Sequence, residues 1–112
     1  MVRTNNGEVL AERAEWARGA LQRMRGLLYR PPLEPGEALI LRPAAQIHTF
    51  GMRSAVDVVF CSASWVVLHV VRELRPWRVT RWVRGARYAV EFPAGTVGRE
   101  LAPGEPLTVT SG

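Results

Sequence analysis

The chain has 112 residues, 47% hydrophobic and 22% charged, with a formal net charge of +5, and a chain of this length buries roughly two thirds of its unfolded surface as one domain, 1–112, without a staple. Cys61 is the only cysteine and no CxxC or CxxH spacing occurs, so neither an internal disulfide nor a structural zinc site is expected. The opening MVRTNNGEVLAERAEW has three acids and no apolar run of seven, which fits neither a secretory signal nor a membrane span, so the expected setting is cytoplasmic, with no membrane partner.

In chain order, GEVLAER forms a short opening strand after the turn signal TNNG. In AEWARGALQRMRGLLYR, the residues Ala14, Ala17, Leu21, Met24 and Leu28 recur at helical steps, which predicts an α-helix with a core-facing stripe. Gly19 and Gly26 weaken that helix by about 1 kcal/mol each relative to alanine, and Pro31 with Pro32 ends it. The loop PPLEPGE follows. EALILR, AVDVVFC, WVVLHVV, RYAVEF and PLTVT then have strand length and many branched or aromatic residues. Their connections are too short for repeated parallel crossovers, so the sheet is expected to be antiparallel. The fold class expected is α+β: mainly antiparallel β-sheet, as a small barrel or two packed sheets, with one α-helix in the N-terminal half.

AVDVVFC raises a sharper question, because Asp57 interrupts an apolar strand. A three-residue loop at 62–64 between it and WVVLHVV pairs residues whose numbers sum to 126, which sets Asp57 opposite His69, with Cβ atoms about 5 Å apart. A carboxylate removed from water needs a cation or several donors. His69 can serve, as can Arg53 or His48 if the HTFGMR turn folds back. Such a pair is either a structural tie or a ligand anchor. Cys61 shares the face, but four residues of extended strand place it roughly 13 Å from Asp57, too far for a triad. A metal site from His48, Asp57, His69 and Glu91 is geometrically conceivable without diagnostic spacing, and no metal or cofactor is assigned. By strand alternation Glu91 lies on the solvent face, near arginine.

All fifteen basic residues are arginine. Arg72, Arg75, Arg78, Arg81, Arg84 and Arg87 recur every third residue, opposed within that segment only by Glu73, and residues 72–87 carry the whole excess of +5. Interleaved Trp77 and Trp82 combine phosphate neutralisation with flat stacking surfaces, the ingredients of sequence-tolerant single-strand binding. Against this stands the plain reading of a solvated charge run.

GLLYR at 26–30, EALILRP at 37–43, IHTFGMR followed by VDVVF, LRPWR at 74–78 and AVEFPAG at 89–95 together resemble the uncharacterised family known as domain of unknown function 192, over roughly residues 15–107. The resemblance implies a mainly antiparallel β domain with one helix and an unassigned function. It places any site between His48 and Asp57, and it supplies no catalytic residue. The chain departs from the family pattern at Ala55, where proline is common, at Glu105, where aspartate is commoner, and in its SAS hairpin loop.

Two binding sets follow. A non-catalytic pocket for a small anionic ligand is expected from His48, Thr49, Met52, Arg53, Asp57 and His69. A surface for nucleic acid, another polyanion or an acidic protein is expected from Arg72, Arg75, Trp77, Arg78, Arg81, Trp82 and Arg84. A small enzyme or a metal-binding protein is the rival class.

Overall fold

A computed structural model describes residues 1–17, 33–50 and 52–110. Eight strands run in order: β1 (Val2–Arg3), β2 (Val9–Ala11), β3 (Arg13–Trp16), β4 (Glu37–Leu41), β5 (Val56–Cys61), β6 (Val67–Leu74), β7 (Tyr88–Pro93) and β8 (Thr108–Val109). They form a three-stranded sheet, β2-β1-β8, and a five-stranded sheet, β3-β4-β7-β5-β6.

The described residues are all β and contain no helix, which corrects the expected α+β class. Where the helix was expected to begin, Arg13–Trp16 instead pairs in parallel with Glu37–Leu41. Trp16 at its end meets Trp65 and Tyr88 edge-on, at ring-centroid distances of 6.1 and 5.9 Å, and the Arg42 guanidinium lies 5.4 Å from its ring centroid. Strand pairing and aromatic contacts override the helical preference of alanine and glutamate here, because propensity is small beside tertiary contacts. The rest of the expected helix lies outside the described residues. The β3–β4 pair is parallel, and the stretch between its strands exceeds the dozen residues a parallel crossover needs.

Strands β5 and β7 are central, and their side chains are buried on both faces. Toward the smaller sheet, Val59, Cys61, Val90 and Phe92 pack with Val2, Leu10, Ile40 and Leu107. On the other face, Val56, Val58, Phe60 and Ala89 pack with Leu39, Leu41, Ile47 and Val83. Ile47 and Val83 belong to an irregular ribbon that covers this second face. In it Thr49 N–H donates to Arg78 O, Trp77 N–H to Thr49 O, Thr80 N–H to Ile47 O and Val83 N–H to Ala45 O.

Candidate functional site

Asp57 points toward the smaller sheet with Val59 and Cys61 and is 0% exposed. The strand opposite explains why a carboxylate is needed there. Val56 pairs with Leu74 and Val58 with Val71, so Arg72 and Glu73 together face Asp57 in a β-bulge. Glu73 has φ of 55°, and its N–H, turned out of the ladder, donates to Asp57 Oδ1 at 2.9 Å. Asp57 Oδ2 accepts from Val97 N–H, also at 2.9 Å. Arg72 completes the clamp: its Nε donates to Val97 O at 3.3 Å, and its Nη2 to Gly98 O at 2.6 Å and Leu101 O at 2.9 Å. The aspartate thus ties the 97–101 loop to the edge of the larger sheet through backbone amides.

His69 is not its partner. The hairpin closes with Ser62 N–H on Val66 O, and Trp65 adopts φ of 62° as the last loop residue, the left-handed position that follows a type I turn in three-residue hairpins. A register shift between Phe60 and Cys61 displaces the pairing further, and His69 stands opposite Phe60 with their rings stacked 6.2 Å apart. His69 therefore lies on the face opposite Asp57. Its pKa is lowered from the usual histidine value, first by burial and then by the positive charge of Arg81.

Glu91 is 1% exposed on the Leu39 and Val58 side of β7, which corrects its expected place in solvent and separates it from Asp57. Cys61 is fully buried, and burial pushes its thiol pKa up to about 12. Such a sulfur is packing, not a nucleophile. Among the described residues no group of three or more His, Cys, Asp or Glu side chains could hold a metal ion. A cavity of about 150 Å³ opens among Thr4, Asn5, Asn6, Glu100, Leu101 and Glu105, none of them in either expected set.

The ribbon gathers a different group. By alternation Ile47 and Thr49 point inward, while His48 and Phe50 point out. Thr49 is 0% exposed, and its hydroxyl sits inside the turn Arg75-Pro76-Trp77-Arg78. It donates to Arg75 O at 2.6 Å and accepts from Arg78 N–H at 2.9 Å. Trp77 has φ of 63°, a left-handed conformation that costs a bulky residue about 1–2 kcal/mol. Trp77 is 65% exposed, and its ring stacks on Phe50 at 6.0 Å and 26°, while Phe50 in turn lies 5.1 Å from His48 at 32°. Val79, paired with His48 across the ribbon, is 56% exposed, and Trp82 is 66% exposed. Strain held at an exposed aromatic residue is characteristic of functional surfaces.

Of the pocket set, His48 joins this outer surface, Thr49 supports it from beneath, Met52 packs partly buried against the core and Arg53 is exposed. Asp57 lies on the other face, apart from it and from His69, whereas His69 lies within reach of the charge of Arg81. Of the polyanion set, Arg75, Arg78, Arg81 and Arg84 are exposed, whereas Arg72 is occupied by the loop carbonyls. Phe50 and Val79 were missed by the sequence reading. The alternation in IHTF held the signal for Phe50.

The family model for DUF192, described as "Uncharacterized ACR", matches residues 1–109. A UPF0127 protein of Thermococcus sibiricus is 33% identical over 101 residues, which cover 87% of this chain and 65% of that protein, so the chain spans less than two thirds of this relative's length. A UPF0127 protein of Pyrococcus abyssi is 35% identical over 74% of this chain and 73% of its own. The crystal structure of a Novosphingobium aromaticivorans protein of unknown function superposes with a TM-score of 0.80 at 19% identity, covering 96% of this chain and 81% of that one. That likeness shows the fold.

Proposed function

The chain belongs to the uncharacterised DUF192 family, and from that premise we propose that it is a non-catalytic module that binds a polyanion on the arginine-bearing ribbon. One observation carries this reading. The segment 72–87 holds the chain's whole excess charge, and Arg75, Arg78, Arg81 and Arg84 extend from it into solvent. Exposed guanidinium groups pair with phosphate in a planar, two-pronged geometry, and a fixed ribbon presents them at less entropic cost than a loose tail. The expected pocket around Asp57 lacks comparable support, because both oxygens of that carboxylate already accept backbone N–H groups.

Binding of a polyphosphate chain should weaken steeply as salt rises, because ion release drives such association. Replacing Arg78 and Arg81 with glutamine should reduce the slope of log affinity against log salt by about one per arginine. Isothermal titration across a salt series measures this. An affinity indifferent to salt, or an unchanged slope in the double variant, would remove the proposal.

A further inference from the structure

We infer that the polyanion is a single-stranded nucleic acid whose unpaired bases stack on the rings of His48, Phe50, Trp77 and Trp82; this inference rests on the polyanion reading above. Charge alone explains why the ribbon attracts phosphate. It does not explain why the same ribbon holds aromatic rings out in water. Trp77, Trp82 and Phe50 are 65%, 66% and 44% exposed, although a buried aromatic side chain adds far more to stability than an exposed one. Trp77 is moreover held in a left-handed conformation that glycine would adopt without strain.

Geometry narrows the occupant. His48, Phe50 and Trp77 form a short ladder, with neighbouring centroids 5.1 and 6.0 Å apart and planes inclined by 32° and 26°. The exposed ring of Trp77 offers the ladder a next step, and a nucleobase has the flat π-face to occupy it. Arg75 and Arg78 bracket Trp77 in the chain, and Arg81 precedes Trp82. Arginines and exposed indoles therefore alternate along one segment, matching a ligand that carries both flat rings and phosphates. A duplex keeps its bases stacked inside and offers these rings nothing to stack on. A lipid surface favours apolar and basic side chains segregated to opposite faces, whereas here arginines and aromatic residues alternate along one segment.

The test uses the whole chain and compares fluorescence-labelled oligothymidylate and oligouridylate with inorganic polyphosphate, a DNA duplex and anionic phospholipid vesicles. The variants are Phe50→Leu, Trp82→Leu and Trp77→Gly, the last keeping the turn's backbone conformation. Each aromatic replacement should weaken oligonucleotide binding roughly tenfold, the loss of one stacked base, and leave polyphosphate binding within about twofold. Indole emission should be quenched by the oligonucleotides and not by polyphosphate. The inference is overturned, with the polyanion reading intact, if polyphosphate binds as tightly as the oligonucleotides and no aromatic replacement matters. A preference for duplex overturns it too. Binding to vesicles alone, or to none of the probes, defeats both.

Discussion

Asp57 shows how a carboxylate can be seated in a core by backbone donors. A carboxylate accepting two backbone N–H groups satisfies donors that a β-bulge and a neighbouring loop would otherwise leave stranded. Asp57→Asn keeps the shape but turns one acceptor into a donor that faces another donor. Its unfolding free energy should fall by about 1–3 kcal/mol, measured by urea denaturation, and an Asn variant as stable as the parent would show that the tie contributes nothing. His69 gives a second test. Its folded pKa lies below the unfolded value of about 6.5, so the unfolded chain takes up the proton first as pH falls. The contribution of a neutral His69 is present above about pH 6.5 and lost as pH drops through the lower folded value. Wild-type stability should therefore decline between neutral pH and about pH 5 more than that of His69→Gln, and identical pH profiles for the two proteins would contradict this.

At the scale of elements, bulges and left-handed positions decided what the sequence could reveal. Strand existence was legible for β4 to β8, since branched and aromatic runs bounded by turn residues leave few alternatives. Register was not. Trp65, Glu73 and Trp77 adopt positive φ, where sequence reasoning expects glycine or asparagine, and the register shift between Phe60 and Cys61 moves His69 off the Asp57 face. The helical spacing of Ala14 and Ala17 misled because alanine's helical preference is local and small, whereas the pairing of Arg13–Trp16 with Glu37–Leu41 and the aromatic contacts of Trp16 involve residues remote in sequence. Thr49 is the element-level device most open to test. Thr49→Val removes the hydroxyl's bonds to the Trp77 turn and should cost about 1–3 kcal/mol, while Thr49→Ser keeps most of the stability. Indole fluorescence anisotropy should also fall in the valine variant as the turn loosens. Equal denaturation midpoints for valine and serine would show that the hydroxyl does not hold the turn.

Across the whole molecule, the candidate site was legible as two ingredients and not as one surface. Arginine periodicity and the tryptophans in 72–87 are evident from the letters, and IHTFGMR stands out by resemblance. That Thr49 bonds into the Arg75–Arg78 turn is a long-range fact, which no local pattern encodes. The same packing divides labour among the charges, with Arg72 spent on loop carbonyls and its neighbours left to solvent. No helix among the described residues is long and apolar enough to cross a membrane.

The smaller sheet has one further consequence. Its middle strand, β1, is flanked by β2 close by in sequence and by β8 from the far end, with Val2 opposite both Ala11 and Val109. During synthesis Val2 leaves the ribosome long before Val109 exists. Until then β1 lacks its second neighbour, and its length of two residues keeps that open edge too short to template much pairing with another chain.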